Sequence, residues 1–267
     1  MQTWTSRQDL QFAPYKDVVQ RLLARIHCFA PPVDIEALAK LLEVDEIRRE
    51  DLGEVSGSLI RGKRRNFILL NSSQSRERQR FTLAHELAHL YFGDNHEEGS
   101  VQWRRPLSTR DNRERRCDAF ASELLMPWHL IHSRLDESPN IATVVELARD
   151  FQVSIESAAL RLGSLSTEPI QIIAWQKEKG NLIQKWSVGI AHILPKEQGL
   201  DLSNKFSSAV QATLVPSAIR GSEKIYRRGK ISTCESESRA FGKTVFSILR
   251  KRPRRAARVQ GVKASRE

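Results

Sequence analysis

Two histidines and a glutamate set the first expectation. Within Arg80-Phe81-Thr82-Leu83-Ala84-His85-Glu86-Leu87-Ala88-His89-Leu90 the pattern H-E-x-x-H lies inside an apolar run with helical spacing. At about 100° per residue, His85 and His89 point the same way one turn apart and can hold a single zinc ion between them. Glu86 is displaced round the helix by one step, where its carboxylate can act on a water beside the metal without being a ligand. That is the arrangement of a zinc peptidase.

A five-residue pattern also arises by chance, on ordinary helices with two surface histidines. Here Phe81, Ala84, Leu87, Ala88, Leu90 and Tyr91 surround the polar stripe, which describes a buried helix whose histidines need partners. A catalytic zinc takes three protein ligands and keeps one position for water. Glu114 is the candidate for the third. It shares a helix face with Asp118, so one carboxylate can reach the metal while the other accepts a ring N–H from a ligating histidine. The competing reading makes Glu114 part of a capping box with Asp111 and leaves Asp118 solvated; beside H-E-x-x-H, the metal reading is preferred. Manganese or another divalent ion suits the same imidazole and carboxylate set. The donor for a developing oxyanion stays open among Tyr91, His96, His129 and His132.

These residues need elements to hold them. Ser73 or Ser75 can cap the metal helix and Gly93 can end it, while the second helix opens at Asp111 or Asn112 and stops at Pro127. Upstream, Tyr15 to Phe29 has helical spacing, Pro31-Pro32 breaks it, and Asp34 caps a second helix. The runs Val55-Ser56-Gly57-Ser58-Leu59-Ile60 and Asn66–Asn71, separated by a basic turn, predict a β-hairpin. Zinc peptidases hold extended substrates against an edge strand above the metal helix, which makes Val55, Ser56, Gly57, Ser58 and Leu59 the candidate substrate strand. Residues 94–112 lose periodicity and read as a loop over or beside the site.

From about Pro31 to Pro127 the chain resembles the ImmA/IrrE family of zinc metallopeptidases. The resemblance rests on Pro32-Val33-Asp34-Ile35, Val55-Ser56-Gly57, Arg78 to His89, Glu114, and Phe120-Ala121-Ser122-Glu123-Leu124-Leu125-Met126-Pro127, in that order. It implies that His85, His89 and Glu114 ligate zinc and that Glu86 is catalytic. The family pattern often has Ala-Asn where this chain has Cys117-Asp118; the cysteine reads as a small packing residue. By the same resemblance the substrate is a helix-turn-helix repressor, whose cleavage switches on stress, phage or mobile-element genes.

Downstream, Leu147 to Leu162 resembles a helix-turn-helix, with Gln152 where glycine is usual at the turn. Few of its side chains suit base reading, so a packing module is preferred to a DNA-binding one. Ile170–Trp175 and Leu182–Val188 predict a second hairpin, and later β-rich runs imply a small α+β domain, sensor-like in the way of the GAF-type domains some ImmA/IrrE proteins carry. The expected class is therefore α+β: a zincin-like peptidase domain over 1–135 with a small sheet and metal-binding helices, a helix-turn-helix-like module over 136–167, a small α+β domain over 168–250 and a basic tail over 251–267.

The net charge of +11 is concentrated at the end: Arg250 to Glu267 carries +7, leaving a mildly basic body. Such a tail is most simply a solvated end, with nucleic acid or an acidic partner as the sharper reading. Three scattered cysteines, no apolar run of membrane-spanning length and no signal-like start point to a soluble, cytoplasmic protein. The competing function is a non-proteolytic DNA-binding regulator with a structural zinc site, for which Glu86 would have no use.

Overall fold

The computed structural model describes residues 15–62, 65–94, 112–135, 138–179, 181–191, 193, 199–201, 208–227 and 230–251. Helix α1 (Lys16–Arg25) buries Val19, Leu22 and Leu23 as one stripe. Helix α2 (Ile35–Leu41) starts at Asp34, whose carboxylate accepts the Ala37 N–H at 2.9 Å.

Three strands follow: β1 (Glu46–Glu50), β2 (Gly57–Arg61) and β3 (Asn66–Asn71). The sheet order is β1-β3-β2, with β2 antiparallel to β3 as the hairpin pattern predicts. Strand β1 pairs parallel to β3 and is not announced by alternation, because Glu46-Ile47-Arg48-Arg49-Glu50 is a largely exposed edge. Its backbone pairing, not its side chains, places it there.

Helix α3 (Arg76–Phe92) opens where Ser75 accepts the Arg78 N–H and closes at Gly93, in the left-handed conformation at φ 63°. Every residue from Thr82 to His89 is buried, so this helix is enclosed on all sides. Gly57 explains how closely β2 approaches it: a Cβ there would lie 2.5 Å from Thr82 Cγ2 and 2.7 Å from the Leu69 carbonyl. Helix α4 (Asn112–Leu125) packs against α3, and after Pro127 comes the short α5 (Trp128–Ile131).

Helices α6 (Ile141–Phe151) and α7 (Ile155–Leu165) turn at Gln152, which takes the left-handed conformation at φ 52° where glycine is usual. Beyond them lie β4 (Ile170–Glu178), β5 (Asn181–Val188), β6 (Gly199–Asp201), α8 (Ser208–Gln211), β7 (Ile219–Arg227), β8 (Lys230–Phe241) and β9 (Thr244–Lys251). They form a six-stranded antiparallel sheet in the order β6-β5-β4-β9-β8-β7. The class is α+β, as the sequence implies.

One apolar cluster runs from Val19 in α1 through Leu87, Phe120 and Leu162 to Ile172, Trp186 and Ile248 of the large sheet. Alternate residues Ile173, Trp175, Val245 and Leu249 face the other side and form a second cluster. Helix α7 is clamped between neighbours. Its Glu156 accepts from Lys185 Nζ at 3.0 Å and Trp186 Nε1 at 2.7 Å, and its Arg161 is fully buried against Glu123 of α4. Among the described residues, no helix is long and apolar enough to cross a membrane.

Candidate metal centre

Helices α3 and α4 bring His85, His89 and Glu114 to one point. The two Nε2 atoms lie 3.1 Å apart, and the Glu114 oxygens lie 3.2 Å from His85 Nε2 and 3.3 Å from His89 Nε2. The far side of each ring faces a carboxylate: His85 Nδ1 is 2.9 Å from Asp118 Oδ1, and His89 Nδ1 is 2.8 Å from Asp94 Oδ2. A proton on each Nδ1 is therefore accepted by an aspartate, which leaves both Nε2 lone pairs aimed at the same place as a carboxylate. A proton can bridge only one such pair at a time. A divalent cation satisfies all three at once, so the donor set fits a metal with two imidazoles and one carboxylate.

The electrostatics agree. Burial pulls the His89 pKa down, yet Cys117, Glu114 and Glu86 around it push it up to about 11. Hydrogen bonds from His85 and His89 hold the Glu114 carboxyl well below the usual carboxylate range, against burial. The acidic groups gathered here favour a positive charge beside them. Both histidines are buried, whereas Glu114 remains a quarter exposed, so the centre has an approach from solvent.

Glu86 is buried on α3 between the histidines in sequence and stands outside the three-ligand group. Asp118, one turn after Glu114, meets His85 from the same helix. The proposed substrate strand lies beside the metal helix: Val55 is half-buried, while Ser56, Gly57, Ser58 and Leu59 are buried. Among the described residues β2 pairs with a strand on one edge alone, which leaves backbone groups, and few side chains, for meeting an extended chain.

Sequence reasoning missed Asp94 and Arg116. In sequence Asp94 opens an aperiodic stretch, but Gly93 reverses the chain and the Asp94 N–H returns to the His89 carbonyl at 3.1 Å. Arg116 pairs with the second oxygen of Asp94 and lies over the Phe92 ring at 4.2 Å. A glycine just past the last ligand, followed by an acidic residue, was the available signal. Of the candidate oxyanion donors, Tyr91 stacks on Phe120 and His132 stacks on Trp128. Burial lowers the His129 pKa. His96 and Asp111 lie outside the described residues, as do the greater part of the 94–112 loop and residues 252–267 of the basic tail.

Residues 46–163 match the model of the IrrE N-terminal-like domain, a span that contains both α3 and α4. This segment is similar to the IrrE N-terminal-like domain of the ImmA/IrrE family. Its relatives include the radiation response metalloprotease IrrE of Deinococcus deserti, 37% identical over 111 residues, and that of Deinococcus radiodurans, 33% identical over 108. Each match covers 39% of this chain, and 38% and 33% of the respective relative. A Mycobacterium tuberculosis transcriptional regulator shares the fold over 92% of this chain and 80% of that one, with a TM-score of 0.60 at 12% identity.

Proposed function

We propose that this chain is a zinc-dependent metalloendopeptidase that hydrolyses a peptide bond in a protein substrate, and that the substrate is a helix-turn-helix repressor. The observation that carries the reading is the convergence of His85 Nε2, His89 Nε2 and the Glu114 carboxylate beside a buried Glu86 that is not one of the three ligands. Zinc held there would supply Lewis acidity, polarising the scissile carbonyl and acidifying the attacking water. Glu86 takes the proton from that water and delivers it to the leaving amine. Asp118 fixes the His85 ring so that Nε2 faces the centre. The edge of β2 that pairs with no strand among the described residues receives the substrate backbone in extended form, with Val55 to Leu59 as the contacting stretch.

The repressor as substrate follows from the family resemblance, and its removal would derepress stress, phage or mobile-element genes. A DNA-binding role for α7 is less well supported, since Glu156 is engaged by Lys185 and Trp186 and Arg161 is buried. The test is incubation of the wild-type chain and Glu86→Gln with the repressor encoded nearest its gene, with and without chelator. Loss of full-length repressor only with wild-type protein and metal is expected. Equal cleavage by Glu86→Gln or in chelator would reject the mechanism, and no cleavage by any form would reject this repressor as the substrate.

A further inference from the structure

His85 has its orienting carboxylate on α4, four residues from a ligand, where helix periodicity puts it. His89 needs the same service, because a ring free to rotate or to carry its proton on Nε2 offers no lone pair to a metal. The group facing its Nδ1 is Asp94, 2.8 Å away and almost wholly buried. Gly93 and the Asp94 N–H bond to the His89 carbonyl fold it back beneath the ring. Its other oxygen is held by Arg116, whose guanidinium rests on Phe92, and its carbonyl accepts from Arg61 at 3.4 Å.

Cys117 Sγ also lies near, 3.4 Å from His89 Nδ1 and 3.6 Å from Asp94 Oδ2, so His89, Asp94 and Cys117 form a second group of metal-ligand type. The Arg116 cation on Asp94 decides between the two uses. A second metal would have to sit beside a guanidinium already bound to the same carboxylate, whereas a ring N–H is what such a carboxylate accepts at low cost.

We propose that Asp94, locked by Arg116, is the positioning residue that presents His89 to the metal, the counterpart of Asp118 on His85. This rests on the reading of His85, His89 and Glu114 as metal ligands. Arg116 acts only through Asp94, so the two behave as one unit.

The experiment measures zinc affinity of the full chain, stripped of metal, by competition with a chromogenic chelator. Asp94→Asn and Asp118→Asn are each expected to weaken zinc binding about 10- to 100-fold. Arg116→Gln should weaken it less, the double Asp94→Asn/Arg116→Gln variant should be no weaker than Asp94→Asn, and Asp94→Glu should recover part of the loss. Unfolding of the metal-free proteins is followed in parallel. Asp94→Asn that melts lower yet binds zinc as wild type does would reduce Asp94 to a structural contact and overturn the proposal. If Asp94→Asn does not fold, Arg116→Gln decides, and wild-type affinity there overturns it equally. Failure of the underlying reading is a different result: His85→Ala, His89→Ala and Glu114→Ala would bind zinc unchanged.

Discussion

Helix α4 carries two charge clusters, one fully buried near its C-terminus and one partly exposed near its N-terminus, and they are built on opposite principles. Near its C-terminus Glu123 meets Arg161 with both side chains fully buried; Glu123 also accepts the Trp128 N–H at 2.8 Å, and Arg161 Nε donates to the Met126 carbonyl at 3.0 Å. One carboxylate meets one guanidinium, and the two charges cancel within the protein. Near the N-terminus Glu114 and Asp118 meet two imidazoles whose Nε2 lone pairs converge with a carboxylate, a set in which acceptors outnumber protons. The closed cluster joins α4 to α7, while the open one asks for a cation. A buried charged group is thus informative mainly when the charges around it do not cancel.

The contrast can be broken most sharply at Glu86. Glu86→Gln is expected to lower peptide-bond cleavage by about 10²- to 10⁴-fold, the range for losing a general base, with zinc affinity unchanged in the chelator competition. A variant that lost metal as well would place Glu86 among the ligands. At the closed cluster, Arg161→Met leaves Glu123 charged and unpaired, and a loss of about 3–5 kcal/mol in urea unfolding is expected. The double variant Glu123→Leu/Arg161→Met should recover most of that loss, because the pair can be exchanged for apolar packing. No such exchange should rescue the open cluster.

Zinc itself separates the two. At free metal about 100-fold above its dissociation constant the wild-type protein should gain about 2.7 kcal/mol, read as a rise in unfolding temperature that chelator reverses. Arg161→Met should gain as much as wild type, while His85→Ala or Glu114→Ala should gain nothing. The smallest effect is expected at the surface pair of Asp150 with Arg134 and Arg149, whose hydrogen bonds lower the Asp150 pKa. A carboxyl with a depressed folded pKa adds stability that is full above its unfolded value and is lost as pH falls through the folded one. Asp150→Asn should therefore cost less than about 1 kcal/mol at neutral pH and flatten the acid side of the stability profile.

What the sequence made readable follows the same division. His85, Glu86, His89, Glu114 and Asp118 stand three or four residues apart or adjacent, so helix periodicity alone arranges them on their helices. The capping signals at Asp34, Ser75 and Gly93 are equally local. Asp94 and Arg116 were out of reach because they meet across a chain reversal, 22 residues apart. Glu123 and Arg161 are 38 residues apart and belong to helices whose crossing no local pattern encodes. Strands β1 and β8 were hidden for another reason. Glu46–Glu50 is an exposed edge, and β8 buries Ser236, Glu237 and Ser238 where an alternation of apolar residues would be sought. Polar side chains that find partners inside a fold look, in sequence, like residues outside it.

The first residue of α6 is tied down by a group made much later: Ile141 N–H donates to Glu237 of β8 at 3.3 Å, 96 residues along the chain. Phe246 and Ile248 of β9 likewise belong to the apolar cluster that backs α3 and α4. During synthesis, His85, His89 and Glu114 have all been translated once α4 ends at Leu125, while the apolar cluster behind α3 and α4 still lacks Phe246 and Ile248. A ribosome stalled between those points holds a chain with all of the centre's chemistry and an unfinished wall behind it.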